Sequence, residues 1–201
     1  SRIQRQEGTP VNDVAIPGSG SLATLPALEN LELLASPTAV ALQSIAQTHF
    51  ELAAMVRVAE IDPELADTET LTETFGMDLA LSSNCILVAG KRAGEERIAA
   101  CVVRATTNAD VNHVVKKRID VRKASFLPVE RAVEMSGMEY GGITPVGLPE
   151  DWRLFVDGAV AERATVLIGS GVRHSKLLVP GALLVALPGA ERVEDLGVRP
   201  A

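Results

Sequence analysis

Residues 133–147 read VEMSGMEYGGITPVG, and the second half of this stretch decides how the chain is interpreted. Three glycines and one proline fall within residues 141–147. Glycine adopts backbone angles that other residues avoid and proline fixes its own, so this segment follows an unusual backbone path. Such a path is typical of a tight structural turn, and it also lets a ligand approach exposed N–H and C=O groups. Composition alone favours the turn.

The overall composition is that of a globular protein. Apolar residues make up 47% and charged residues 22% of the 201 residues, which is enough for one well-buried core. The formal net charge of −7 disfavours a protein whose affinity for nucleic acid depends on many phosphate contacts. Aromatic residues are only 3%, which disfavours single-strand binding on stacking platforms. We therefore expect any contact with nucleic acid to be local.

Neither a metal site nor a membrane segment is indicated. Cys85 and Cys101 lie on separate apolar runs without the close Cys/His spacing of a zinc site, and we predict buried free thiols. The longest apolar stretch near the end, residues 177–187, is interrupted by Pro180 and Gly181 and is too short to span a bilayer. No signal-peptide pattern is found. The expectation is a cytoplasmic protein with no membrane contact, metal or cofactor.

The order of predicted elements favours an α+β fold. Residues 1–35 are rich in turn-forming residues and are predicted to be a flexible N-terminal arm, whereas residues 36–201 form the folded domain, with ordered structure beginning near Ser36. Helices and strands alternate too irregularly for a doubly wound fold, so a mixed sheet is expected. Helices are predicted at residues 36–48, 67–76, 107–115, 128–137 and 181–186, and strands at 54–59, 85–89, 98–103, 154–156, 165–168 and 176–179.

The stretch at residues 133–147 resembles the hallmark segment of the YbaK/EbsC family of aminoacyl-tRNA editing deacylases, in which a helix end precedes a GGxxPxG loop. Three further segments match in the same order: residues 85–89, the KAS segment at 123–125, and IGSGVR at 168–173. The resemblance covers roughly residues 67–196. It implies a mixed, barrel-like β-sheet surrounded by helices, with a pocket for the aminoacyl end of a mischarged tRNA.

The resemblance also implies which residues bind the substrate. They come from the two glycine-rich segments and are Gly141, Gly142, Ile143, Thr144, Pro145, Gly147, Gly169, Ser170, Gly171 and the adjoining His174. Backbone amides of these segments would hold the terminal ribose and the ester carbonyl, while pocket size selects the amino acid. Family members hydrolyse the ester without a side-chain nucleophile, often on tRNA(Pro) carrying Cys or Ala.

One position departs from the family pattern. The family's functional lysine corresponds to Asn84, whose amide can donate a hydrogen bond but carries no fixed charge. Asn84 and Arg173, which adjoins the second glycine-rich segment, are the predicted catalytic residues. Lys91, Lys123 and Lys176 are other candidate cations, each a surface charge by default.

The sequence leaves more than one function open. A trans-editing deacylase is the first hypothesis, and a catalytically weak or inactive binding module of the same fold is the alternative that Asn84 motivates. A third hypothesis is protein association through the arm. The expected partner is the acceptor end of tRNA, which the basic residues 116–118 and 122–123 could contact, although a solvated helix end also explains them. A homodimer is left open.

Overall fold

The structure is a computed structural model that describes residues 15–200. Its helices are α1 (Ser36–Thr48), α2 (Phe50–Ala54), α3 (Thr68–Phe75), α4 (Lys116–Arg118), α5 (Val129–Ser136), α6 (Gly158–Ala161) and α7 (Gly181–Ala186). Its strands are β1 (Leu25–Pro26), β2 (Arg57–Glu60), β3 (Ser83–Arg92), β4 (Glu95–Arg104), β5 (Asn108–Ala109), β6 (Ala124–Phe126), β7 (Arg153–Asp157), β8 (Val166–Gly169), β9 (Ser175–Val179), β10 (Ala190–Val193) and β11 (Gly197–Val198). Short 3-10 turns lie at Ala27–Glu29, Leu31–Leu33, Pro63–Leu65 and Leu79–Leu81.

Two open sheets form the body of the protein. One is antiparallel with the order β1-β2-β9-β8, and the other is mixed with the order β10-β7-β4-β3-β6. A parallel bridge between Ser82 and Leu167 connects the start of β3 with β8. The predicted α+β class with a mixed sheet is confirmed. The barrel-like closure is wrong, because each strand order runs from one edge to another without returning to its first strand.

The central hairpin forms from the two apolar runs that predicted it. β3 and β4 pair along their whole length, and the turn residues Ala93 and Gly94 have φ angles of 51° and 79°. Two successive residues with positive φ are typical of the type I′ turn of a two-residue hairpin. The apolar run at residues 98–103 of β4 is buried on both faces, because alternate residues belong to two different core clusters.

Three predicted helices have the expected ends. α1 occupies the predicted range with Pro37 in its first turn, where a missing N–H costs nothing. α3 begins after Asp67, whose carboxylate accepts a hydrogen bond from the amide of Thr70, and ends at Gly76 in the left-handed conformation. α5 ends in the same way at Gly137, with φ of 71°. The left-handed glycines therefore fix where α3 and α5 end.

Two predicted elements are wrong in part. The helix expected at residues 107–115 is replaced by β5 and a single π-helical turn at Val111–Val115 that Asp110 caps. Its valines are β-branched and lose side-chain freedom in an α-helix, which weakens the helical preference there. The strand expected from residue 54 begins only at Arg57, because the preceding residues form α2.

Part of the predicted arm packs on the body. Residues 1–14 lie outside the described residues, but Leu22 and Ala27 are fully buried and β1 pairs with β2. The amide of Ser21 donates to the carbonyl of Phe75 at 2.9 Å. Regular structure therefore begins before Ser36, since burial of these apolar side chains outweighs the turn-rich composition. The division of the chain at residue 36 stays a prediction.

The apolar core lies mainly between the two sheets. Its largest cluster contains Leu87, Val102, Ile168 and Leu177, which come from strands of both sheets. Cys101 is buried in a second cluster and, like the half-buried Cys85, is a free thiol. Among residues 15–200, no helix has the combination of length and hydrophobicity that is needed to cross a membrane.

Candidate functional site

A cavity of about 550 Å³ opens where the start of β3 meets β8 and β9, and we call it the junction cavity. Its volume is that of a site for a small ligand or for the end of a larger one. Its walls come from elements that are far apart in the sequence, namely α3, β3, β6, α5, the loop after α5, β8 and β9. The lining residues include Asp67, Ser83, Asn84, Cys85, Ile86, Phe126, Leu127, Val129, Tyr140, Gly141, Ile143, Gly169 and Lys176.

The two glycine-rich segments pack directly against each other at this cavity. The amide of Gly171 donates to the carbonyl of Gly142 at 2.7 Å, and the amide of Glu139 donates to the carbonyl of Gly171 at 2.9 Å. A Cβ at Gly169 would lie 2.6 Å from the carbonyl oxygen of Gly142, and a Cβ at Gly142 would lie 2.7 Å from that of Val172. Glycine is therefore required at these positions because backbone approaches backbone.

The expected amide donors are partly used within this packing. Besides the Gly171 amide, the amide of Gly142 is occupied, since it donates to the carbonyl of Glu139 at 3.0 Å. The carbonyl of Gly141, by contrast, accepts a hydrogen bond from Lys176 at the cavity wall. At this place the loop offers the cavity a carbonyl oxygen where the sequence predicted N–H groups.

The first glycine-rich segment is divided between two cavities. Gly141 and Ile143 line the junction cavity, whereas Pro145 and Gly147 line a second cavity of about 910 Å³ beside α1, which we call the α1 groove. Thr144 lies between them, is fully buried, and accepts a long hydrogen bond from the amide of Val146 at 3.4 Å. Only part of the predicted binding segment can therefore contact one ligand.

The second glycine-rich segment contributes mainly to the framework. Gly169 lines the junction cavity, but Ser170 is fully buried and its hydroxyl donates to the carbonyl of Ser175 at 2.9 Å. Gly171, with φ of 87°, packs so closely that a Cβ there would meet the side chain of Ala35. His174 is exposed and is not among the residues that line the cavity.

Arg173 holds the loop from behind. Its guanidinium donates to the carbonyls of Tyr140 at 3.2 Å and Pro63 at 3.0 Å, and its own amide donates to Glu139 at 2.9 Å. Arg173 is not among the lining residues, so these contacts position the loop beside Gly141. Its catalytic role stays a prediction.

Lys176 is the candidate cation that lies in the cavity wall. β9 runs between β2 and β8, and the Lys176 side chain is only 5% exposed. Its ammonium donates to the carbonyl of Gly141 at 3.4 Å. Burial, reinforced by the charge of Arg173 and opposed by Asp67, lowers the pKa of Lys176 to about 8. Lys91 and Lys123, the other candidate lysines, are exposed and lie outside the cavity lining.

The start of β3 brings further polar groups to the same wall. Asn84 is half-buried and lines the cavity, as does Ser83, which is 8% exposed. Within residues 15–200, the buried hydroxyl of Ser83 has no hydrogen-bond partner. Burial raises the pKa of the Cys85 thiol well above its ordinary range, so this thiol is not an activated nucleophile.

The rim of the junction cavity is apolar and exposed. Phe126 is 69% exposed, Tyr140 is 63% exposed, and Val129 at the start of α5 is also exposed. The sequence has only four Phe, one Tyr and one Trp, so two exposed rings at one rim are a marked concentration. Composition could not show this, because it reports how many rings there are but not where they meet.

A family model for the aminoacyl-tRNA editing domain matches residues 62–187, which is more than half of the chain. The chain belongs to the aminoacyl-tRNA editing domain family. The matched range contains every lining residue named for the junction cavity and begins close to Asp67, where the resemblance begins. The resemblance to the YbaK/EbsC family is confirmed.

Individual proteins are similar to this chain in sequence or in fold. The chain is 26% identical over 120 residues to the uncharacterized protein YwhH of Bacillus subtilis (strain 168), a match that covers 60% of this chain and 73% of that protein. It shares its fold with a proposed trans-editing enzyme for prolyl tRNA synthetase, with a TM-score of 0.62, 17% identity, and coverage of 79% and 96% of the two chains. The hypothetical protein APE2540 is similar, with a TM-score of 0.65, 20% identity, and coverage of 79% and 99%.

Proposed function

We propose that this editing domain is a trans-editing deacylase that hydrolyses the ester of a mischarged aminoacyl-tRNA in the junction cavity. The proposal rests on the observation that residues from separate segments of the chain line the same cavity. Asn84 adjoins one segment that resembles the family, Gly141 and Gly169 lie in two others, and all three residues line one cavity. Its volume of about 550 Å³ is ample for an aminoacyl group joined to a ribose.

The lining of the cavity fits an aminoacyl ester chemically. Apolar side chains such as Ile86, Leu127 and Ile143 can surround the amino-acid side chain and limit its size. Asp67 offers a carboxylate for the α-ammonium group, and Asn84 and Lys176 offer N–H donors for oxygen atoms. Substrate and wall are therefore complementary in both charge and polarity.

The rim fits the end of a tRNA. Unpaired bases in protein complexes are commonly stacked on aromatic side chains, and Phe126 and Tyr140 present exposed rings at the mouth. A terminal base stacked there would leave its ribose at the entrance with the aminoacyl group directed inward. The protein as a whole is acidic, so this local stacking suits it better than extensive phosphate contact.

As substrate we propose tRNA(Pro) carrying alanine or cysteine. The resemblance to the YbaK/EbsC family supports this, as does the shared fold with a proposed trans-editing enzyme for prolyl tRNA synthetase. We include the cytoplasm as the place of action, because tRNA is charged there.

Release of amino acid from a panel of mischarged tRNAs tests the proposal. The panel contains tRNA(Pro) charged with proline, alanine or cysteine, together with tRNAs for other amino acids charged with a wrong small residue. We expect release from at least one mischarged tRNA and slower release from the correctly charged tRNA(Pro). Absence of release above background from every member of the panel contradicts the proposal.

A binding module of the same fold is the second candidate function, and the neutral side chain of Asn84 is the observation that favours it. Such a module would bind the aminoacyl end without hydrolysing it. Binding without release by the natural protein, together with release after Asn84→Lys, would support the module. If the natural protein already releases amino acid, the module is excluded.

A further inference from the structure

The ammonium of Lys176 is buried in the cavity wall with much of its hydrogen-bonding capacity unused. A lysine ammonium has three N–H donors, and a buried charge is costly unless it is paired and hydrogen-bonded. Within residues 15–200, its hydrogen bond is to the carbonyl of Gly141 at a long 3.4 Å. A side chain that only served packing would be more stable as an apolar residue.

The strand registers explain how this side chain reaches the site. Gly169 is the antiparallel partner of Lys176, and partners in such a pair point to the same face of the sheet. Because Gly169 has no side chain, the lysine can extend past it to the loop at Gly141. The bridge between Ser82 and Leu167 brings the start of β3 beside β8, so Asn84 lines the same cavity as Lys176.

The hydroxyl of Ser83 is a second, independent sign that a polar ligand belongs here. It is buried without a hydrogen-bond partner among the described residues, and Ser83 lines the same cavity. A buried hydroxyl that lacks a partner costs about 1–3 kcal/mol. Two groups on different strands thus have hydrogen-bonding capacity left at one place.

We propose that Lys176 is a catalytic residue whose ammonium donates a hydrogen bond to the carbonyl oxygen of the bound ester. The inference rests on the proposed function and adds to it the origin of the positive charge. In this protein the charge comes from β9, while residue 84 on β3 supplies a neutral amide.

The step is a hydrolysis in which Lys176 stabilises the charge that develops. The oxygen of water bonds to the carbonyl carbon, and the π electrons of the carbonyl move to its oxygen, where the ammonium lies. The bond from that carbon to the ribose oxygen then breaks, and this oxygen takes up the proton that the water released. A donor held in a dry site before the reaction acts more strongly on this charge than bulk water does.

The charge of Lys176 also makes the reaction depend on pH. The titratable and charged groups near it are Asp67 at the start of α3, Arg173 behind the loop, Cys85 on β3 and Tyr140 at the rim. Because burial lowers the pKa of Lys176 to about 8, the rate should fall as pH rises through that value and the ammonium loses its proton.

Replacement of the charge is the first test. On the mischarged tRNA that the natural protein deacylates fastest, Lys176→Met should lower kcat about a hundredfold, the usual effect of losing an oxyanion donor, and change KM little. Lys91→Met removes an exposed lysine of the same kind and should leave kcat unchanged. Thermal unfolding of both variants shows whether the fold is retained.

Relocation of the charge separates catalysis from support of the loop. The double variant Asn84→Lys with Lys176→Met places an ammonium on β3 in the lining of the same cavity. Its kcat should be at least about tenfold higher than that of Lys176→Met, since one donor in the site restores much of the effect. The pH at which the rate of this double variant falls should be set by the pKa of the new lysine. If Lys176 only held Gly141 in place, relocation would recover nothing and the pH profile of the natural protein would be flat near pH 8.

The outcomes distinguish this inference from the function on which it rests. A natural protein that releases nothing from any tRNA overturns both. A natural protein that is active and keeps its kcat after Lys176→Met overturns the role of Lys176 alone and leaves the deacylase proposal standing.

Discussion

The junction cavity and the α1 groove share one loop but differ in what the tertiary structure adds to it. Gly141 and Ile143 face the first, and Pro145 and Gly147 face the second. The groove is larger, about 910 Å³ against about 550 Å³, yet the junction cavity contains the buried ammonium of Lys176. The α1 groove is lined by α1, residues 145–154 and the turn after α7, among them apolar side chains, hydroxyls and the exposed Glu150.

The size of a cavity therefore does not identify a functional site. A groove between a helix and a loop arises wherever large side chains do not meet, whereas a charge is kept in a dry wall only at an energetic cost. Natural proteins accept such a cost mostly where the group acts on a ligand. Four measurements test whether the junction cavity is the functional one.

The largest expected effect concerns stability against pH. The pKa of Lys176 is lowered to about 8 in the folded protein and is about 10.4 in an unfolded chain. Between these values the unfolded chain binds more protons, so the free energy of unfolding rises with pH. Relative to Lys176→Met, the natural protein should gain roughly 3 kcal/mol between pH 7 and 10.5.

Urea unfolding of the natural protein and of Lys176→Met, measured across that pH range, gives this difference directly. Lys91→Met serves as the matched control, because Lys91 is exposed. The difference in free energy of unfolding between the natural protein and Lys91→Met should not change with pH. If the free energies of unfolding of the natural protein and of Lys176→Met change with pH in parallel, the ammonium of Lys176 is hydrated. The junction cavity would then not differ from the α1 groove by a buried charge.

Filling each cavity with a ring should affect activity very differently. Ile143→Trp places an indole in the junction cavity and should lower kcat/KM about a hundredfold, because the substrate can no longer reach its bound position. Val40→Trp on the 65% exposed Val40 of the α1 groove should change it less than about twofold. Deacylation kinetics on the best substrate are the measurement. Equal losses would mean that both cavities take part.

One glycine from each cavity separates close packing from backbone strain. A Cβ at Gly169 would lie 2.6 Å from a carbonyl oxygen, so Gly169→Ala should cost about 2 kcal/mol. At Gly189 in the α1 groove a Cβ meets nothing within 4 Å, and φ is 73°. Gly189→Ala should therefore cost only about 1 kcal/mol, the strain of a left-handed alanine. Urea unfolding measures both, and a costlier Gly189→Ala would refute the packing account.

The smallest effect concerns the approach of the tRNA. Lys117 is exposed in α4, within the basic segment near β6, whose last residue Phe126 stands at the rim of the junction cavity. Lys117→Gln should raise KM for tRNA about threefold at low salt, less at high salt, with kcat unchanged. Arg163→Gln removes one charge elsewhere and is the control. If both variants behave alike, the basic segment does not contact the tRNA.

Much of the fold could be read from local patterns. α1 and α3 have the predicted ends because a first-turn proline, a capping aspartate and a left-handed glycine act within one turn. The β3–β4 hairpin follows from two apolar runs around a short polar segment. The glycines of the two glycine-rich segments marked the family. Gly142 and Gly169 are required by close backbone contacts, and Gly141 and Gly171 have positive φ angles.

The sequence by itself thus determined the α+β class, the family and the loop to examine. The tertiary structure was needed to show that this loop divides between two cavities, that Arg173 supports it from behind, and that two exposed aromatic side chains line one cavity. It also decided that Lys176 is buried, since a lysine is exposed by default and becomes buried only when β2, β8 and the loop enclose it. The physical reason is that burial and charge environment depend on distant segments, whereas helix ends and turns depend on neighbouring residues.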